Sequence, residues 1–156
     1  MSSLSFSVLF VVFLAISLGV RFWLASRQLR HVIAHRAAVP PEFAEKIPLS
    51  AHQKAADYTV ARTKFGLVTL IVNAAVLIGF TLLGGLQWLS SLLLGWTGEP
   101  GMVYQIALVA GFGLISGAVD LPFDYYRQFK LEAGFGFNKM TRGLFFSDMI
   151  KQTLLG

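Results

Sequence analysis

Three long apolar segments dominate this sequence and restrict what it can fold into. They cover residues 4–25, 65–86 and 102–123. Each is long enough to cross a bilayer as a helix, because about 20 residues span the roughly 30 Å of hydrocarbon. Hydrophobic residues make up 55% of the chain and charged residues only 13%, which excludes an ordinary soluble domain. The sequence therefore predicts an all-α, polytopic membrane protein whose surroundings are the lipid bilayer.

The second apolar segment continues to Trp96, which is too far for one upright span. The Gly84-Gly85 pair divides it, so we predict one span followed by an interfacial stretch, where Trp88 and Trp96 lie at the headgroup level. The third segment contains two pairs of small residues four positions apart: Ala107 with Gly111, and Gly113 with Gly117. These pairs either let another helix approach closely or reflect the frequency of glycine in membrane helices.

The basic residues predict the topology. All 13 lysines and arginines lie between Arg21 and Lys64 or between Arg127 and Lys151. By the positive-inside rule, both regions face the cytoplasm, and the amino terminus and the turn at 95–101 face the other side. This placement also explains the net charge of +5 without a nucleic-acid partner. Residues 1–3 are uncharged, so the first segment is predicted to be a retained anchor and not a signal peptide.

The remaining polar regions are predicted to be helical in part. The cytoplasmic loop, residues 26–64, is interrupted by Pro40, Pro41 and Pro48, which favours a helix, an extended linker and a second helix. Ser50 is a candidate N-cap for that second helix. The apolar run beginning at Gly143 is typical of the start of a fourth span.

A run of mixed residues follows the third segment and reads DLPFDYYRQFKLEAGFGFNK from Asp120 to Lys139. The SDMIK motif lies downstream, at residues 147–151. We define the signature segment as residues 120–149, from Asp120 to the methionine of that motif. This segment resembles a signature of the amino-terminal membrane domain of the type I CAAX prenyl proteases. The cytoplasmic loop resembles the same family in its Pro-Pro pair and the helix that follows it. The family-like residues of that helix are Lys54, Asp57, Tyr58, Arg62 and Phe65.

The resemblance implies a zinc metalloendopeptidase that cleaves prenylated or membrane-borne peptides inside a helix-walled chamber. Such an enzyme holds zinc through HExxH and a later glutamate, and that motif does not occur in residues 1–156. We therefore expect this chain to be the amino-terminal membrane domain without the catalytic portion, inactive alone, with zinc bound only in the complete protein. The alternative is that the chain is a non-catalytic membrane scaffold or a partner-binding subunit. In a variant of this alternative, a separate subunit supplies HExxH. The short loops favour a bacterial inner membrane over the endoplasmic reticulum.

The signature contains the candidate functional residues. The resemblance implies that these residues have a structural role or line the chamber. They are Asp120, Pro122, Tyr126, Arg127, Glu132, Gly134, Phe135, Gly136, Asn138 and Lys139. Asp120 is predicted either to have a structural role, as a cap or paired with Arg127 or Lys130, or to line the chamber, and the structural role is favoured. Pro122 is predicted to disturb the helix as the chain leaves the membrane. The aromatic residues form an interfacial belt or help to shape the access route of the substrate, and a scaffolding role is favoured.

One histidine pair has the spacing of a metal site. His31 and His35 are four residues apart, but valine stands where the catalytic glutamate of HExxH belongs. The third histidine, His52, lies beyond the prolines. Neighbouring arginines favour solvated histidines on an interfacial helix, so metal binding here is disfavoured.

Overall fold

The computed structural model describes residues 3–155, which form five α-helices. They are α1 (Ser3–Ala34), α2 (Leu49–Thr81), α3 (Gly85–Thr97), α4 (Met102–Tyr126) and α5 (Arg142–Leu155). A short 3-10 turn, Pro41–Phe43, lies between α1 and α2, and a π-helical turn, Arg127–Glu132, continues α4. The all-helical fold predicted from the sequence is confirmed.

Helices α1 and α2 pack as a long antiparallel hairpin. One stripe of α1 is half-buried, at every third or fourth residue, and the other side chains from Leu4 to Ala34 are exposed. The stripe consists of Ser7, Phe10, Leu14, Leu18, Phe22, Ala25, Leu29 and Val32. Helix α2 has 33 residues and is therefore about 50 Å long, which exceeds the thickness of the hydrocarbon. The hairpin thus extends beyond the apolar layer, as the polar sequence of residues 26–64 predicts.

The start of α2 differs from the prediction. Ser50 is not the N-cap, because the helix begins at Leu49 and Pro48 occupies the cap position without a side-chain hydrogen bond. The Pro48 carbonyl oxygen accepts hydrogen bonds from the amides of Ala51 and His52, at 3.0 and 3.1 Å. Proline has a fixed φ suited to this turn and lacks an amide that would go unpaired, so it starts the helix and leaves Ser50 inside the first turn.

The glycine pair ends α2 earlier than expected. The predicted span of 65–86 is wrong at its far end, because α2 stops at Thr81 and the chain turns at Gly84, whose φ is +84°. A Cβ atom on Gly85 would lie 2.9 Å from the carbonyl oxygen of Gly79. The turn is therefore tight enough to require glycine, and it sends α3 back along the other helices.

Helix α3 packs against α4 through one of the two predicted small-residue pairs. Leu89 is buried at 5% exposure, and a Cβ atom on Gly111 would lie 3.4 Å from its side chain. Ser90 and Tyr104 share a hydrogen bond of 2.7 Å beside this contact. A Cβ atom on Gly113 or Gly117 would meet nothing within 4 Å. Close helix packing is thus found at Gly111, and not at the second pair within the described residues.

Pro122 lies inside α4 and does not end the helix. The helix continues to Tyr126 and then widens into the π-helical turn. Proline removes one backbone hydrogen bond, but aromatic contacts with the antiparallel α2 hold the helix on both sides of it. The ring centroids of Phe80 and Phe112 are 5.1 Å apart, and those of Phe65 and Tyr126 are 5.3 Å apart. Packing therefore outweighs the local cost of the proline.

Three helices among the described residues are long and apolar enough to cross a membrane, at Leu4–Ala34, Leu49–Thr81 and Met102–Glu132. The only buried apolar residues in this part of the chain are Ala56, Leu89 and Leu131. Large apolar side chains are instead exposed along the helices, as expected where lipid or further helices cover them. The predicted fourth span falls on α5, whose 14 residues do not test that prediction.

Candidate functional site

The signature segment folds back on itself at Gly136. After the π-helical turn, the Gly136 amide donates to the Ala133 carbonyl oxygen at 3.0 Å, and the Phe137 amide donates to that of Glu132 at 2.9 Å. Gly136 has a φ of +73°, a left-handed conformation that L side chains rarely adopt. The reversal places Phe135 and Phe137 against the same helix.

That helix is α2, in the part that belongs to the cytoplasmic loop of the sequence. The ring of Tyr58 lies between Phe135 and Phe137, with centroid distances of 5.4 and 4.8 Å and edge-to-face geometry. The ammonium group of Lys54 lies 5.6 Å from the centroid of the Phe137 ring. We call Lys54, Tyr58, Phe135 and Phe137 the Tyr58 cluster. The two stretches that carry the family resemblance therefore meet in space.

Asn138 closes the signature segment. Its Oδ1 atom accepts a hydrogen bond from the side-chain amide of Gln128 at 2.8 Å and from the backbone amide of Met140 at 2.7 Å. An asparagine oxygen has two lone pairs and can accept both. One side chain thus links the π-helical turn to the residues before α5.

A second group of rings connects the segment to α5. Tyr125 and Phe129 are 4.8 Å apart, and Phe145 lies 6.0 Å from Tyr125 and 5.5 Å from Phe129. The aromatic residues of the signature are therefore engaged with one another and with α2 or α5. Edge-to-face and offset pairs of this kind contribute about 0.5–1.5 kcal/mol each beyond the burial of their surface.

The predicted pairing of Asp120 with Arg127 or Lys130 is wrong. Arg127 instead binds Asp124, three residues earlier in sequence, at 2.9 Å. Asp124 is one helical turn before Arg127, whereas Asp120 is two turns away, so the nearer carboxylate forms the pair. Asp120 is half-buried and makes no ion pair or hydrogen bond with the residues that the structure describes.

Asp120 shares one face of α4 with another unpaired polar group. Ser116 lies four residues earlier, and its Oγ atom is buried without a hydrogen-bond partner among residues 3–155.

The remaining signature residues have few contacts. Glu132 is half-buried and Lys139 is exposed, and neither forms an ion pair in the described part of the chain. Pro122 is exposed, and a Cβ atom on Gly134 would meet nothing within 4 Å.

Sequence reasoning missed one ion pair that joins the two ends of the linker. The Arg36 Nε and Nη2 atoms donate to the two carboxylate oxygens of Asp57, each at 2.7 Å. The hydrogen bonds that the Arg36 guanidinium donates to Asp57 raise its pKa, so this cation stays charged. The side chains are 42% and 46% exposed, and solvent screening keeps the contribution to stability small. Residues 21 positions apart carry no sequence signal for such a pair.

The three histidines come together without forming a metal site. The rings of His31 and His35 are 4.2 Å apart, and His52 Nε2 donates to the His35 carbonyl oxygen at 2.9 Å. No cluster of three His, Cys, Asp or Glu side chains suited to a metal ion is present in residues 3–155. The described residues do not fit the zinc that the resemblance implies, and we derive no catalytic step from them.

The turn at Gly136 gives a prediction about the signature segment. We expect Gly136→Ala to destabilise the turn by about 1–2 kcal/mol, the cost of a left-handed conformation for an L residue. Faster amide hydrogen exchange at Gly136 and Phe137 would measure it, because both amides are bonded only in this turn. Gly134→Ala is the matched control, since Gly134 has no positive φ. Equal exchange in the two variants would contradict the prediction.

These features define an all-helical, multi-pass integral membrane protein with an aromatic cluster that joins α2 to the segment after α4. The chain belongs to the family described as "CAAX prenyl protease N-terminal, five membrane helices", whose model matches residues 28–156. The resemblance noted in the sequence is thereby confirmed.

Individual relatives agree with the family. A CAAX prenyl protease 1 homolog of Caenorhabditis elegans is 31% identical over 153 residues, which are 96% of this chain and 33% of the relative. CAAX prenyl protease 1 of Saccharomyces cerevisiae is 33% identical over 127 residues, 75% of this chain and 28% of the relative. The crystal structure of S. mikatae Ste24p matches with a TM-score of 0.82 and 26% identity, covering 92% of this chain and 34% of that one. The chain thus spans about a third of the length of these relatives.

Proposed function

We propose that this chain is the amino-terminal membrane part of a zinc metalloendopeptidase that cleaves prenylated or membrane-borne peptides. Its helices form part of the chamber wall, and another portion of the same protein supplies HExxH, the later glutamate and the zinc. The observation that carries the proposal is the Tyr58 cluster. It brings together the two sequence stretches that resemble the family, and it lies at the polar ends of two helices suited to span a membrane.

The contacts support different roles for two parts of the signature. Residues 125–138 act as a scaffold, because their rings and the Asn138 side chain hold the turn after α4 against α2 and α5. Asp120 has no partner in the described residues, and an ionisable group near an apolar span is least costly where it faces water or a partner across a cavity. Asp120 therefore lines the chamber, on the same face of α4 as Ser116.

The test of this proposal compares the native gene product with the 156-residue chain. The reading frame beyond codon 156 is sequenced and compared with the mass of the protein in its own membrane. Cleavage of a farnesylated CAAX peptide is then measured for both proteins, with and without a zinc chelator. We expect the frame to encode HExxH, the full product to cleave the peptide in a chelator-sensitive way, and the 156-residue chain to be inactive.

The other outcome has a clear meaning. If the reading frame stops at codon 156, the native mass agrees and no peptide is cleaved, the proposal that this chain is part of a protease is wrong. The non-catalytic scaffold or a separate catalytic subunit would then be favoured. Pull-down of a membrane partner that carries HExxH would then separate these two alternatives.

The distribution of basic residues leads to a proposal about topology. We place residues 26–64 and 127–151 in the cytoplasm, the amino terminus outside, and the protein in a bacterial inner membrane, with α5 entering a fourth span. Because the chain has no cysteine, single cysteines at Ser2, Glu99 and Ala51 report their side with an impermeant thiol reagent. We expect labelling of intact cells at Ser2 and Glu99 and none at Ala51. The reverse pattern would overturn the orientation.

A further inference from the structure

A polar cleft lies between α1 and α2, on the side of Tyr58 that the signature segment leaves open. Its volume is about 440 Å³, and it is lined by Gln28, Tyr58, Thr59, Arg62 and Thr63. One water needs roughly 10–15 Å³ of volume measured in this way, so the cleft is far larger than a single-water site. The Thr59 hydroxyl donates to the Ala55 carbonyl oxygen at 2.8 Å, and the lining also offers the Gln28 amide, the Arg62 guanidinium and the Tyr58 and Thr63 hydroxyls as hydrogen-bond donors. The cleft is therefore large enough and polar enough for a small anionic group.

The charge of the cleft is positive and uncompensated. Arg62 forms no ion pair with the described residues, and its guanidinium lies 6.0 Å from the centroid of the Tyr58 ring. None of the lining residues is acidic. The nearest carboxylate in sequence, Asp57, has both oxygens engaged by Arg36 at 2.7 Å. An anion entering the cleft would meet one free cation and no competing negative charge.

The cleft also lies at the level where both helices change from polar to apolar. On α1 the apolar run ends at Ala25, just before Gln28, and on the antiparallel α2 the apolar run begins at Phe65, just after Arg62 and Thr63. Trp23 lies on α1 close to this level, with the Arg27 guanidinium 5.0 Å from its ring centroid. Tryptophan and basic residues are typical of the headgroup region, so the cleft opens where lipid phosphates lie.

We propose that this cleft binds the phosphate of an anionic phospholipid, held by Arg62 together with the polar side chains of Gln28 and Thr63. The guanidinium binds phosphate oxygens through two parallel N–H donors, which a lysine cannot reproduce. A basic pocket between helices at the end of the apolar layer is a known kind of lipid-headgroup site. Bound lipid rests against Tyr58, so it also supports the ring that holds Phe135 and Phe137. The inference does not depend on proteolytic activity.

The test compares two charge-removing substitutions on the same helix. The purified chain is placed in nanodiscs of phosphatidylcholine with a minor fraction of phosphatidylglycerol, and retained phosphatidylglycerol is counted by native mass spectrometry. Arg62 and Lys64 are both exposed, but only Arg62 lines the cleft. Arg62→Gln therefore removes the cleft cation, and Lys64→Gln removes a cation two residues away that lies outside the cleft lining. We expect Arg62→Gln to weaken retention about tenfold, the effect of losing one charge-assisted hydrogen-bonded contact. Lys64→Gln is expected to leave it nearly unchanged.

Three further measurements test whether the loss of phosphatidylglycerol comes from the cleft itself. Circular dichroism and the unfolding temperature establish that both variants fold. Arg62→Lys is expected to recover only part of the retention, because it restores charge without the paired donors. Inorganic phosphate in the buffer is expected not to displace the lipid. Equal losses in Arg62→Gln and Lys64→Gln would show a diffuse charge effect and overturn the site, and displacement by inorganic phosphate would identify a soluble anion and overturn the lipid.

Discussion

Replacing Tyr58 with alanine is expected to release the signature segment from α2. The Tyr58 ring makes edge-to-face contacts with both Phe135 and Phe137, and each such pair contributes about 0.5–1.5 kcal/mol beyond buried area. Both contacts vanish in Tyr58→Ala, and apolar surface is exposed as well. The local free energy of opening should fall by about 2 kcal/mol, roughly a thirtyfold larger opening constant.

Amide hydrogen exchange in nanodiscs measures this effect. The Gly136 and Phe137 amides are hydrogen-bonded within the turn, and the Met140 amide donates to Asn138. We expect all three to exchange faster in Tyr58→Ala, while amides in the centre of α1 do not change. Tyr58→Phe keeps both ring contacts and should exchange like the unmodified chain. The packing role of the ring is wrong if Tyr58→Phe is as perturbed as Tyr58→Ala, or if neither differs from the unmodified chain.

A single methyl group at Gly85 is expected to disrupt the turn between α2 and α3. The added Cβ atom would lie 2.9 Å from the Gly79 carbonyl oxygen and 3.0 Å from the Phe80 Cα atom. Both are backbone atoms, so no side-chain rotation relieves the clash and the helices must separate. Overpacking of this kind costs about 1–3 kcal/mol. The contact of Leu89 with Gly111 depends on the same turn and should weaken with it.

The unfolding temperature in detergent, followed by tryptophan fluorescence, measures the result. Trp88 and Trp96 both lie in α3, so the signal comes mainly from the helix that moves. Gly95→Ala is the control, because Gly95 is inside α3 and a Cβ atom there meets nothing within 4 Å. The control should be stabilised by about 0.5–1 kcal/mol, since alanine replaces glycine within a helix. A Gly85→Ala protein that unfolds at or above the temperature of Gly95→Ala would contradict the geometry of the turn.

Sequence patterns that act over a few residues predicted the fold well. The apolar spans, the break at Gly84-Gly85 and the helical character of residues 49–64 all follow from local composition and backbone preference. The family resemblance followed from residue types in a fixed order. One error arose where two local preferences compete, because Ser50 lost the cap position to Pro48. At Pro122 the aromatic contacts of α4 with α2, which are tertiary, help to hold the helix together.

The candidate site was less predictable, because its contacts join distant parts of the chain. Tyr58 and Phe135 were predicted separately as family-like residues, but nothing in the sequence indicates that their rings touch. The pairing of Asp57 with Arg36 and the isolation of Asp120 likewise depend on how the helices pack. A salt-bridge partner cannot be assigned from sequence when several charges lie within reach.

The sequence by itself determined that this protein lives in a membrane, that three apolar segments are long enough to span it, and which family it resembles. Hydrophobic length and backbone preference act locally, so a linear pattern is enough to reveal them. Only the tertiary structure decided that the cytoplasmic loop and the signature segment meet at Tyr58, and that a cationic cleft opens between α1 and α2. These features arise from the packing of antiparallel helices, which sets distances that no spacing along the chain encodes.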